Sequence, residues 1–173
     1  MKTHPGSPLE GYVPRVVDTV LDELFPHLPA ILLDGPKAVG KTATAGRRAA
    51  TIHDLGAIGP RTTAQADPTT VLLGAKPILI DEWQRVEDTW DAVKTAIDDY
   101  YAGGQYLLAG SAPAPSPSGH HSGAGRITSI RMRPLTVFER AVAPATVSLA
   151  DLLAGTQGPV TGLAGLSLAD YTD

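Results

Sequence analysis

The sequence predicts an α/β fold, a mostly parallel sheet with helices on both faces, and three observations carry that expectation. Short runs rich in Ile, Leu and Ala at 30–34, 77–81 and 105–110 are continuously apolar between their ends, as strands buried on both faces are. The stretches between them hold segments with helical spacing, and strands alternating with helices pair in parallel. A glycine-bounded segment, 35–42, joins the first apolar run directly to a helix-forming stretch.

A chain of 173 residues with 43% apolar and 18% charged residues is globular in composition and long enough for one compact domain. We expect that domain over 1–140, followed by a weakly structured tail, 141–173, in which no Lys or Arg occurs. The chain has no cysteine, which excludes disulfides, Cys-ligated zinc and a Cys nucleophile. Pro, Gly and Ser interrupt the first fifteen residues where a secretory signal would be continuously apolar, and no run approaches the ~20 apolar residues of a membrane span. A soluble, cytoplasmic protein is the expectation. The net charge of -4 argues against a dedicated nucleic-acid coat.

In chain order, Val16, Val17, Val20, Leu21 and Leu24 predict an amphipathic helix, with Pro14 in its first turn and a stop near Pro26. The strand 30–34 follows, then a helix over 41–50 and a second strand over 51–55. Residues 56–66 read as loop, and Asp67-Pro68 as a helix start for 69–73. After the strand 77–81, a surface helix places Trp90, Val93 and Ile97 on one face and runs to about Tyr101. The strand 105–110 leads into a polar stretch rich in Pro, Ser and Gly, 111–124, read as a mobile loop. A further strand over 126–132 and a short helix over 148–154 complete the pattern.

The segment Gly35, Pro36, Lys37, Ala38, Val39, Gly40, Lys41, Thr42 has two glycines separated by four residues and followed by Lys and Thr, the Walker A pattern of a P-loop NTPase. Chemistry explains the spacing. The glycines let the backbone curl so that amides converge on phosphate oxygens. Lys41 then reaches the β- and γ-phosphates of ATP, and the Thr42 hydroxyl ligates Mg²⁺. The strand 77–81 ends in Asp81 followed by Glu82, a Walker B arrangement in which Asp81 holds Mg²⁺ and Glu82 polarises the attacking water.

Two further residues have alternative readings. Ser111 ends the strand 105–110; it either orients the attacking water or simply terminates the strand. Arg126 follows the glycines of 122–125 and either meets γ-phosphate charge or is a solvated residue at a strand start. His120 and His121 are adjacent, with no acidic partner nearby, and read as loop rather than as a metal site.

With these blocks in place, residues 12–140 resemble the N-terminal ATPase domain of the AAA-type ATPases that usually carry a C-terminal domain of unknown function. The resemblance rests on YVPRV at 12–16, LDGPKAVGKT at 33–42, LIDEWQ at 79–84, LAGSA at 108–112, HSGAGRI at 121–127 and RMRPLTVFE at 131–139. It implies ATP binding and Mg²⁺-dependent hydrolysis, with Glu82 as base, Ser111 as sensor and Arg126 as arginine sensor. Family members usually continue into a large further domain, so the tail 141–173 reads as the remnant of a truncated one.

Mg²⁺-dependent ATP hydrolysis is thus the leading expectation. A nucleotide-dependent switch without useful turnover is the alternative, and a P-loop small-molecule kinase the third. Glu82 and the lack of an Arg-rich lid between the two motifs speak against the kinase. A protein partner or self-association is expected beside ATP. The local basic stretch of Arg126, Arg131, Arg133 and Arg140 allows nucleic acid without indicating it, a solvated strand edge being the plainer reading.

Overall fold

The computed structural model describes residues 11–113, 125–136, 138–140, 147–156 and 158. Five strands, β1 (Ala30–Asp34), β2 (Thr51–Asp54), β3 (Ile78–Asp81), β4 (Tyr106–Ala109) and β5 (Ile127–Arg131), form one sheet in the order β2-β3-β4-β1-β5. Every pairing is parallel. The expected α/β fold is therefore present, and all five C-terminal strand ends lie along one edge of the sheet.

The helices cover both faces because the central strands are apolar on both. Ala30, Leu32, Ile78, Ile80, Tyr106 and Leu108 point to one side and pack with Trp90, Val93 and Ile97 of α4 (Asp88–Asp99). Ile31, Leu33, Leu79 and Leu107 point to the other, against Leu21 of α1 (Val16–Leu24) and Ala45 of α2 (Lys41–Gly46). Trp90 is 1% exposed and its ring centroid lies 5.0 Å from that of Trp83, so truncating it to Ala would cost about 3–5 kcal/mol.

Several elements depart from expectation. Residues 56–66 are not loop: α3 spans Ile58–Ala66. Gly59 and Pro60 are residues that disfavour a helix interior, yet both stand in the first turn of α3, where a missing N–H removes no intrahelical bond. The helix after residue 40 ends at Gly46 rather than at Ala50, since glycine is a poor helix former. The backbone N–H groups of Ala50 and Thr51 already bond the Pro77 carbonyl as β2 begins. Residues 68–72 form a single 3₁₀ segment, Pro68–Leu72, capped by the Asp67 carboxylate.

α1 also starts later than expected. Pro14 lies outside it, and Arg15 caps it by exchanging bonds with Asp18: Arg15 N–H to the Asp18 carboxylate at 2.8 Å and Asp18 N–H to the Arg15 carbonyl at 2.9 Å. The predicted apolar face is only partly buried. Leu21 is enclosed, whereas Val16, Val20 and Leu24, one turn apart, are exposed.

The chain divides into two compact units, Met1–Pro134 and Leu135–Asp173. Within the second, α5 (Leu149–Ala154) occupies the expected position, with Ser148 accepting from the Asp151 N–H at 3.3 Å. The histidines 120 and 121, most of the polar stretch 111–124 and the last fifteen residues lie outside the described residues. Among the described residues no helix is long and apolar enough to cross a membrane.

Candidate functional site

The loop 35–42 connects the C-terminal end of β1 to α2 and carries three residues at positive φ: Gly35 at 137°, Ala38 at 67° and Gly40 at 94°. A side chain at position 35 would overlap the Met132 carbonyl, so glycine is required there by close approach as well as by φ. These left-handed positions curl the loop on itself. Lys41 is 7% exposed, and its ammonium donates to the Gly35 carbonyl at 3.0 Å and the Pro36 carbonyl at 2.7 Å.

Arg15 holds the loop from outside. Its guanidinium donates to the Val39 carbonyl at 2.6 Å and the Arg133 carbonyl at 2.7 Å, and the residue is 8% exposed. One side chain thus ties the start of α1 to both the loop and the segment after β5. Beside it, the Tyr12 hydroxyl bonds the Asp18 carboxylate and, at 3.0 Å, the Thr44 hydroxyl of α2. The Arg47 guanidinium lies 4.5 Å from the centre of the Tyr12 ring.

Thr42 and Asp81 meet although they are 39 residues apart. The Thr42 hydroxyl lies 3.0 Å from Oδ1 and 2.9 Å from Oδ2 of Asp81. Burial pushes the Asp81 carboxyl above its ordinary range, the Thr42 hydrogen bond opposes this, and the charges of Asp54 and Glu82 push it further up. Asp54 is the residue opposite Asp81 in the β2–β3 ladder. Among the described residues no group of three or more His, Cys, Asp or Glu is arranged to hold a metal alone.

Glu82 follows at φ 54°, ψ 39°, a left-handed conformation uncommon outside glycine. Oε2 of its carboxylate accepts from the Gln84 side-chain amide at 2.6 Å, and the same amide nitrogen lies 3.4 Å from Ser111 Oγ. Ser111 comes two residues after β4, which lies between β1 and β3. The structure therefore gathers 35–42, Asp81, Glu82 and Ser111 along one sheet edge.

Arg126 is not among them. It precedes β5, whose first residue, Ile127, stands opposite Ala30 at the start of β1, and its guanidinium is bonded to Asp98 at 2.5 Å. From there to Arg131, level with Asp34, is about 16 Å of strand, so Arg126 sits at the wrong end of the sheet to reach this edge within its own chain. Sequence reasoning also passed over Arg15 and Gln84 as individual residues. Both stood in blocks that carried the family resemblance, but nothing local announces that a charged residue before a helix will be buried.

A parallel sheet with a glycine loop after its first strand and an acidic pair at the end of a neighbouring strand defines an α/β P-loop NTPase-like protein. The family model described as an AAA domain matches residues 27–141, and the chain belongs to that family, one of nucleotide-binding, ATPase-like proteins. No curated protein matches the chain.

Proposed function

We propose that this domain binds ATP with Mg²⁺ and hydrolyses it to ADP and phosphate. The observation that carries the reading is the Thr42–Asp81 pair: a loop hydroxyl and a buried carboxylate, brought together across two strands beside Glu82.

The donor set fits Mg²⁺. Thr42 and Asp81 offer hard oxygen atoms, and the repulsion that Asp54 and Glu82 exert on Asp81 would be relieved by a nearby dication. Too few carboxylates converge to enclose the ion, which matches the habit of Mg²⁺ of binding through one or two protein ligands, phosphate oxygens and water. When bound, the ion would offset negative charge on the phosphates.

In this reading the loop Gly35, Pro36, Lys37, Ala38, Val39, Gly40, Lys41 and Thr42 wraps the phosphate chain, its backbone N–H groups donating to phosphate oxygens at every position except Pro36, which has none, and the Lys41 ammonium exchanges its two carbonyl partners for phosphate oxygens. Glu82 accepts a proton from the water that attacks the γ-phosphorus, and Ser111 orients that water. The bond from the γ-phosphorus to the bridging oxygen breaks, leaving ADP. Arg126 enters only across a contact between two copies of the chain.

Steady-state phosphate release with and without Mg²⁺, for the wild type and Glu82→Gln, tests the proposal. We expect Mg²⁺-dependent release that falls by about 100-fold or more in the variant, with ATP still bound. ATP binding without release by the wild type would replace it with a nucleotide-dependent switch.

A further inference from the structure

The Gln84 side chain lies against both Glu82 and Ser111, and the contacts fix which way its amide points. A carboxylate accepts hydrogen bonds and cannot donate them, so the nitrogen belongs on the Glu82 side, 2.6 Å from Oε2. Turned over, the amide would set its own oxygen against that carboxylate. One Nε2 hydrogen is thereby committed to Glu82, and the other is directed along the longer 3.4 Å approach to Ser111 Oγ. The bond occupies only one Glu82 oxygen and leaves the other to act on a water molecule.

The far end of the amide is buried in a polar setting. Gln84 Oε1, Trp83 Nε1 and Asp34 Oδ1 are buried polar atoms without a hydrogen-bond partner among the described residues. They belong together. A side chain at Gly110 would overlap Gln84 Oε1 and crowd Trp83 Nε1, so both atoms lie at the bare backbone of that glycine. Gly110 and Asp34 each come next after the paired residues Ala109 and Leu33, and the Gly110 N–H bonds the Leu33 carbonyl. Alternation from Ala30 and Leu32 sets Asp34 on the sheet face that carries Trp83. The set holds one donor and two acceptors. One water accepting from the Trp83 indole and donating to Gln84 and Asp34 would satisfy all three, and three is the usual number of bonds for a buried water.

We infer that Gln84 is a positioning residue for Glu82, joining it to Ser111, and that a buried water between Trp83 Nε1, Asp34 Oδ1 and Gln84 Oε1 locks its amide in the donating orientation. The catalytic part of this inference rests on the hydrolytic reading; the network itself does not. Gly110 belongs to the device because only glycine leaves room for the amide oxygen. The left-handed backbone at Glu82 leads into the 3₁₀ turn Trp83–Arg85, from which the Gln84 side chain bonds the Glu82 carboxylate.

The test has two arms on the full chain. In nucleotide-free protein, the Gln84 side-chain amide signals should shift in Glu82→Gln and Ser111→Ala, and the Trp83 indole N–H should cross-relax with a long-lived bound water. Unmoved amide signals would overturn the positioning role, and an indole without bound water would overturn the lock. In the second arm, Gln84→Ala and the equal-sized Gln84→Glu are compared with the wild type. Both lose the donor, so both should bind ATP within about twofold of the wild type while kcat falls by about 100-fold, the scale on which small misplacements act. Unchanged kcat, or a loss confined to KM, would overturn the catalytic part. A wild type that releases no phosphate would sink the hydrolytic reading alone, since the spectroscopic arm still decides whether Gln84 holds Glu82.

Discussion

The Thr42 hydroxyl is bonded to both carboxylate oxygens of Asp81, at 3.0 and 2.9 Å, and so links the loop 35–42 to the end of β3. It holds a carboxylate whose burial and like-charged neighbours, Asp54 and Glu82, disfavour ionisation. The fold without a bound cation therefore keeps an unfavourable charge at this position. Asp81→Asn preserves an acceptor for Thr42 and removes that charge, so we expect a higher melting temperature together with loss of Mg²⁺-dependent turnover. A lower melting temperature, measured without nucleotide or metal, would show that the Asp81 charge is compensated. Stability gained at the cost of activity is the usual mark of a residue kept for function.

Asp18 behaves in the opposite way. Burial raises its pKa, but bonds from the Arg15 N–H, the Tyr12 hydroxyl and Arg48, with the Arg48 charge, outweigh that and leave it below 3.8. A carboxyl with a depressed folded-state pKa adds stability that is fully present above its unfolded value and is lost as pH falls through the folded one. Asp18→Asn should therefore be destabilised at neutral pH by about 1–3 kcal/mol. Its stability should converge on that of the wild type as the pH drops below 3.8. Parallel curves of stability against pH would contradict this.

What could be read in advance depended on how local the cause was. The strands β1, β3 and β4 are apolar on both faces and stood out in the sequence, as did the turn chemistry of 35–42 and the acids 81 and 82. α3 did not, because Gly59 and Pro60 look like breakers until their place in its first turn is known. Position along a strand was also hidden. Sequence order puts Arg126 soon after Ser111, yet Ser111 follows the C-terminal end of β4 and Arg126 precedes the N-terminal end of β5, and the two strands run in the same direction. Long-range bonds such as Arg15 to Val39, 24 residues apart, have no local signature at all.

That placement changes what removing Arg126 should do. Its guanidinium is bonded to Asp98, a pair open to solvent, and solvated pairs of this kind add little to stability. In a single chain, Arg126→Ala should leave ATP affinity, turnover and melting temperature close to wild-type values. A large fall in turnover with affinity intact would mean that the arginine acts on a neighbouring copy. Mixing Arg126→Ala with Glu82→Gln would then restore activity wherever an intact Glu82 site meets an intact Arg126. Turnover measured over a range of protein concentrations separates the two outcomes.

Arg15 should matter far more than Arg126, although it lies further from the acidic pair in sequence. Its side chain is 8% exposed and bonds the carbonyls of Val39 and Arg133, so it ties the loop to the segment after β5. Arg15→Ala leaves both carbonyls without that donor, and the buried bond to Val39 alone costs about 1–3 kcal/mol when its acceptor is left unsatisfied. Lysine is not an adequate replacement. A single ammonium lacks the planar fork that reaches two carbonyls on separate segments at once. We therefore expect Arg15→Ala and Arg15→Lys both to lower the melting temperature, with Ala the more severe. Both should also weaken ATP binding, because the loop must hold the left-handed residues Ala38 and Gly40 in place on either side of the Val39 carbonyl. Nucleotide titration of Arg15→Lys, the milder variant, is the measurement that decides. Reduced stability with unchanged ATP affinity would make Arg15 a support for the fold alone, whereas weaker binding would make it part of the phosphate loop's own framework.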